Sequence, residues 1–386
     1  MLPIPEKKYR LMAPGPVMMP PGVYEALASP MVHHRTPLFE DRLQFVLDEL
    51  PHVFGTRQPV MMLSSTGTGG MEAALVNTLS PGERILSIVS GKFGQRWSKM
   101  AKAYGIESEE IEVPWGEAVS MEQLKSKLEN GNYAAVITQA TETSTATWHP
   151  IEDMGSTIKA VSPETLLIVD GITAVAASPL KMDTWNIDVL VAGSQKAFMI
   201  PTGLAFVSLS EKAWEKSQTS KCPKFYFDLK GELNANKKGQ TLFSSNVALI
   251  TALYSVLQGW KGDGLDRQLS WYRTQHESIV AALKKLNLEI FSSSPSSTVT
   301  AFKVPNNING NQLRKYLEEE FQLTLMGGQD HLKGKIIRIG HMGHVEPEDV
   351  YACIFYIAAA LKHFNYNLTE EIENQVLKQL RENLGL

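Results

Sequence analysis

Short, wholly apolar runs recur along the first half of this chain, and they restrict its fold more than any other feature. Val60-Met61-Met62-Leu63, Ala134-Ala135-Val136-Ile137, Leu166-Leu167-Ile168-Val169, Val189-Leu190-Val191 and Ala205-Phe206-Val207 all lack the apolar–polar alternation of a half-exposed strand. A strand with no polar face is covered on both sides. A further strand is expected over 84–89, and helical stretches over 71–79, 95–104 and 121–128 separate the runs. Such alternation predicts an α/β fold: a mainly parallel sheet with helices on both faces. Ligands of these sheets sit at the carboxyl ends of the strands.

The 386 residues exceed one average domain. We expect an N-terminal arm over 1–20, a large domain over 21–262 and a smaller α+β domain over 263–386. The last of these begins with a long helix over 265–286. It ends with a helix over 370–382, capped by Thr369, with Ile372, Val376 and Leu380 on one face. Ser292–Ser297 is expected to be a loop. Hydrophobic residues at 43% and charged residues at 20% are ordinary for a packed globular chain. A net charge of -4 argues against a nucleic-acid-binding surface. Cys222 and Cys353 have no metal-type spacing, and His341 and His344 lack further ligands. With no disulfide framework, apolar leader or membrane-length run, a cytoplasmic location is expected.

Polar residues cluster where the apolar runs end. Asp188 through Gly193 leads through Ser194 and Gln195 to Lys196, a lysine at a strand end rather than on a solvated face. Burial lowers a lysine's pKa, and a neutral amine forms a Schiff base with an aldehyde. Lys196 is therefore a candidate carrier of pyridoxal 5′-phosphate, although many such lysines only reach for water. Asp170 closes the run 166–169 and is expected two strands from Lys196 in the same sheet. A pyridinium nitrogen would offset the cost of burying its carboxylate; a structural ion pair would do so equally. Ser64-Ser65-Thr66-Gly67-Thr68-Gly69-Gly70 joins a strand to a helix and resembles a phosphate cradle. Phe93 follows a strand end, where it suits ring stacking or the core. Arg338 lies within an apolar strand, where it suits a substrate carboxylate or an internal ion pair.

Together these residues resemble the class V aminotransferases, pyridoxal-phosphate enzymes of fold type I. Within that class the chain looks most like the alanine–glyoxylate and serine–pyruvate or serine–glyoxylate enzymes. The likeness rests on Ala13-Pro14-Gly15-Pro16, His34-Arg35-Thr36-Pro37, Thr66-Gly67-Thr68-Gly69 and Glu142-Thr143-Ser144-Thr145. It extends through Asp170-Gly171-Ile172-Thr173, Gly193-Ser194-Gln195-Lys196, Met326-Gly327-Gly328 and Arg338-Ile339-Gly340-His341-Met342-Gly343.

The resemblance implies a mainly parallel seven-stranded sheet in the large domain and ping-pong transfer of an amino group. The donor would be a small amino acid, alanine or serine, and the acceptor a 2-oxo acid, glyoxylate or pyruvate. Lys196 would carry the cofactor and shuttle a proton, and Asp170 would bind the ring nitrogen. Phe93 and Ile172 would flank the ring, while Thr66, Gly67, Thr68 and Gln195 would hold the phosphate. Thr143 would bond near the ring hydroxyl or substrate, Arg338 would bind the substrate carboxylate, and Gly15 would border it. A homodimer with the site at its interface is also implied. Relatives lend a tyrosine and a threonine across that interface; here Ser244 or Ser245 would supply a hydroxyl, because 241–246 contains no tyrosine. Phe93 replaces a frequent tryptophan, and Ala146 a usual glycine. An aminoethylphosphonate transaminase, a cysteine desulfurase and a non-catalytic subunit of the same fold are the alternatives. Gln195, where desulfurases have histidine, weighs against the second.

Overall fold

A computed structural model describes residues 8–386; residues 1–7 of the expected arm lie outside the described residues. The central sheet has seven strands in the order Val60–Leu63, Ala205–Leu209, Val189–Gly193, Leu166–Asp170, Ala135–Gln139, Arg84–Val89 and Glu107–Glu112. Ala205–Leu209 runs antiparallel to both neighbours, and the remaining pairings are parallel. The strands carrying Asp170 and leading to Lys196 are immediate neighbours, with Asp170 opposite Val191, rather than two strands apart.

The uniform hydrophobicity of the inner strands follows from their burial. Every residue of Leu166–Asp170, Val189–Gly193 and Ala205–Leu209 is buried. One apolar cluster lies on each sheet face: Val169, Leu190 and Phe206 point to one, Ile168, Val191 and Val207 to the other. Burying each such side chain contributes ~1.5–3 kcal/mol. Glu107–Glu112 was not foreseen, because this edge strand is largely polar and only Ile111 is buried.

The helix expected over 71–79 spans Gly67–Thr78, with its first turn made from the glycine-rich loop itself. Glycine is required where this turn meets the sheet: a Cβ on Gly67 would lie 2.6 Å from Ile172 Cδ1. The helix expected over 95–104 likewise starts earlier, as Lys92–Ala103.

The smaller C-terminal part has its own sheet, in which Ile336–Gly340 lies between Val299–Lys303 and Met326–Gly327. Its core gathers Phe302, Leu313, Ile337, Ile339 and Ile357, together with Met12. The long helix Gly264–Lys285 links the two cores, placing Tyr272 in one and Ile279 and Leu283 in the other. The last helix, Glu370–Leu384, is capped by Thr369, which accepts the Ile372 N–H; Val376 and Leu380 are buried. Ser292–Ser297 is irregular, as expected, but Ser292 and Ser296 are buried and bonded to other hydroxyls.

The N-terminal segment is strapped down rather than loose. Arg10–Leu11 pairs in parallel with Leu323–Thr324, and the Gly340 N–H donates to the Met12 carbonyl at 2.8 Å. This seating carries residues 13–16 across the chain to Lys196.

Candidate active site

A cavity of about 200 Å³ opens at the carboxyl ends of the parallel strands. Thr66, Gly67, Thr68, Phe93, Arg96, Thr141, Thr143, Asp170, Ile172, Thr173, Gln195 and Lys196 line it. Of the residues singled out in the sequence, only Gly15, Arg338, Ser244 and Ser245 are not on this lining. Gly15 and Arg338 adjoin it.

Lys196 is buried, and its ammonium or amine nitrogen donates to the Pro14 carbonyl. Gly15 has φ +137°, and a Cβ there would lie 2.7 Å from Lys196 Cδ and Cε. Arm and lysine thus meet where no larger residue fits. Burial and, next, the charge of Arg338 bring the Lys196 pKa down to about 8, with Arg96 acting in the same direction and Asp170 opposing them. About a tenth of the lysine is then neutral at pH 7, against a negligible fraction for a solvated lysine, and nucleophilic attack on an aldehyde requires that form.

Asp170 ends its strand with Oδ1 accepting the Ile172 N–H at 2.9 Å. Oδ2 has no donor among the described residues. Burial raises this carboxyl to about 6, against the Ile172 hydrogen bond and the charges of Arg96 and Lys196. Gln195 also has a buried side-chain oxygen with no hydrogen-bond partner among the described residues. The free Asp170 oxygen offers an acceptor to a protonated ligand nitrogen. The Thr66 cradle supplies free N–H groups at the start of a twelve-residue helix, which favour an anion.

Arg338 approaches from the C-terminal part. Its Nε and Nη2 donate to the Gly327 carbonyl at 3.1 and 2.8 Å, and Nη1 donates to the Thr143 carbonyl at 2.8 Å. No carboxylate pairs with it among the described residues, so the internal ion pair considered from the sequence is not formed. Of five guanidinium N–H groups, two remain unused. Burial lowers the Arg338 pKa to about 10, opposed by Glu142, and the group stays charged at neutral pH. Thr143 also shares a hydrogen bond of 2.8 Å with Thr173.

Two side chains at the site were not singled out in the sequence. Arg96 donates to Thr68 Oγ1 at 3.0 Å and lies 4.8 Å from the centre of the Phe93 ring. The spacing from Phe93 was the available signal, since residues three apart share a helix face. Glu142 is fully buried beneath Phe93. Ser244 and Ser245 lie elsewhere: Ser244 lines a separate small pocket with Tyr226 and Glu232, and Ser245 bonds Thr241 at 2.6 Å. Cys222 and Cys353 are buried outside the cavity, and burial raises both thiols.

A buried strand-end lysine of lowered pKa, a neighbouring buried carboxylate and an anion cradle, on this sheet order, define a pyridoxal-phosphate enzyme of fold type I. The chain belongs to the aminotransferase class-V family, whose pattern matches residues 23–350. It is a pyridoxal-phosphate-dependent transaminase by family and fold. It is 37% identical to the soluble hydrogenase 42 kDa subunit of Anabaena cylindrica, over 94% of this chain and 96% of that one. It is 31% identical to serine–glyoxylate aminotransferase of Arabidopsis thaliana, over 93% and 92%. The solved alanine–glyoxylate aminotransferase of Nostoc sp. superposes with a TM-score of 0.88 at 28% identity, covering 94% of this chain and 97% of that one.

Proposed function

We propose that this transaminase moves the amino group of a small amino acid, alanine or serine, to glyoxylate or pyruvate. The observation that carries the reading is the pairing of a buried Lys196–Asp170 cavity with an Arg338 that has two N–H groups unused. Pyridoxal 5′-phosphate, when bound, supplies the aldehyde that takes the amino group and the electron-poor ring that stabilises charge at the substrate α-carbon. The donor set fits it. Asp170 Oδ2 would accept from the ring nitrogen, the side-chain NH₂ of Gln195 and the N–H groups of Thr66–Thr68 would hold the phosphate, and Phe93 and Ile172 would confine the ring. Lys196 would anchor the cofactor and move the proton at the substrate α-carbon. Arg338 grips the substrate carboxylate with two parallel hydrogen bonds, while Gly15 and Thr143 border the substrate.

Alanine–glyoxylate and serine–glyoxylate activities belong to relatives at about the 30% identity level, which supports the choice of donor and acceptor. The same reading includes a homodimer, for which an exposed aromatic surface argues. Phe225 is 82% exposed beside stacked Tyr226 and Phe243, and this surface adjoins Ser244 and Ser245. Those serines would serve the phosphate of a second copy. The setting would be cytoplasmic; among the described residues no helix is long and apolar enough to cross a membrane.

The test is optical. Purified protein should show the visible absorption of lysine-attached cofactor, and Lys196→Ala should lack it. Alanine or serine should bleach the band, and glyoxylate or pyruvate should restore it. Bleaching only by aminoethylphosphonate, or sulfide release from cysteine, would replace this reading with the corresponding alternative. A band that no amine bleaches would leave a non-catalytic subunit.

A further inference from the structure

Glu142 has no part in the chemistry described above, yet it is fully buried and every partner it has is a donor. Its Oε2 accepts the backbone N–H groups of Phe93 and Gly94, both at 3.1 Å. Its Oε1 accepts the Ser144 N–H at 3.1 Å and the Ser144 hydroxyl. That hydroxyl in turn accepts the Lys92 N–H at 3.2 Å. The first turn of the helix Lys92–Ala103 is therefore capped from outside, because its own N-cap, Gly91, has no side chain to do so. Burial favours the protonated form of Glu142, and these hydrogen bonds oppose it. Three backbone N–H donors converge on the two oxygens, an arrangement that a carboxylate anion accepts in full and that stabilises it against the effect of burial.

The same segment reaches the other half of the site. Thr143, the next residue, accepts Arg338 Nη1 through its carbonyl. Arg338 is buried among carbonyls without an ion-pair partner, and Glu142 is the acid whose charge favours its protonated form. One carboxylate thus fixes the turn that bears Phe93 and supplies negative charge behind the guanidinium.

We propose that Glu142 is a positioning residue that couples the ring-stacking face, through Phe93, to the carboxylate clamp, through Thr143 and Arg338. The proposal rests on the assignment of Arg338 to the substrate carboxylate. An amide cannot substitute, because its NH₂ would face an N–H donor and the charge would be gone. An aspartate keeps the charge but is one methylene shorter.

The experiment uses the cofactor-loaded enzyme and propionate, a carboxylate with no amino group to react. Its dissociation constant is read from the shift it causes in the cofactor's visible spectrum. Arg338→Ala is the control for the underlying assignment: if it binds propionate as tightly as wild type, the clamp reading fails. With that control in place, Glu142→Gln should weaken propionate about tenfold, the effect of one charge-assisted contact. It should also alter the cofactor spectrum without ligand, and Glu142→Asp should recover part of both effects. A purely structural Glu142 would lower thermal stability while leaving the propionate constant of the folded enzyme unchanged, and that result overturns the proposal. If Glu142→Gln cannot be purified folded, Ser144→Ala decides. Loosening the carboxylate should weaken propionate by about twofold or more, and no change would equally overturn it.

Discussion

The two halves of the cavity are built differently. The half holding Lys196, Asp170 and the Thr66–Thr68 turn belongs to one sheet, each group lying at or just beyond a strand end. The clamp half is assembled from distant pieces: Arg338 bridges carbonyls of Gly327 and Thr143, and the arm delivers Pro14 and Gly15. On the proposed function, bond-making chemistry is thus placed on rigid strand termini. Carboxylate recognition depends on how the C-terminal part is seated against them. Changes in one half should therefore leave a different kinetic trace from changes in the other.

The sharpest way to break that comparison lies in the sheet half. Lys196→Ala removes the anchor and the proton carrier, and kcat should fall by on the order of 10⁴-fold, the upper range for a lost general acid–base. Steady-state rates and the loss of the visible band check this together. Retained turnover with the band absent would assign proton transfer elsewhere.

Asp170→Asn should cost about a hundredfold in kcat/KM, as expected for losing one hydrogen bond to a charged group. The loss should fall on kcat for every amino donor alike. A loss confined to KM for the acids would place Asp170 on the clamp side instead.

Arg338→Ala should raise KM for carboxylate substrates roughly tenfold or more. Cofactor affinity, followed by equilibrium dialysis, should change much less. Equal losses in both would merge the halves.

The smallest effect tests their electrostatic contact. Lys196 titrates near pH 8 because of burial and, next, the charge of Arg338. Attachment of cofactor to the apoprotein should rise about tenfold from pH 7 to 9 as the amine loses its proton, then level off. Removing Arg338 takes away a charge that disfavours the ammonium, so the plateau should move to higher pH. A plateau that stays put in stopped-flow absorbance would mean the two halves do not sense each other.

The same contrast explains what was legible in the sequence. Lys196, Asp170 and Thr66–Thr68 could be found because an inner strand is apolar throughout and its end is marked by the first polar residue. Glu107–Glu112 escaped because an edge strand needs no such run: five of its six residues are serine or glutamate. Arg338 could be named, but its partners could not, since backbone carbonyls of Gly327 and Thr143 have no side-chain signature. Glu142 appeared only as part of a motif; its burial depends on a helix turn packed above it. Ser244 and Ser245 were named for the phosphate through resemblance to proteins that share their sites between subunits. Within one chain they lie away from the cavity.

The strapping of the N-terminal segment has a consequence for biosynthesis. Residues 10–16 leave the ribosome long before Leu323–Thr324 and Gly340, which seat them, are made. The sheet and its lysine can form while translation continues, whereas the wall that Pro14 and Gly15 place against Lys196 cannot. A chain truncated before residue 323 should therefore present its lysine without that wall, and completion of the pocket waits until residues 323–340 have emerged.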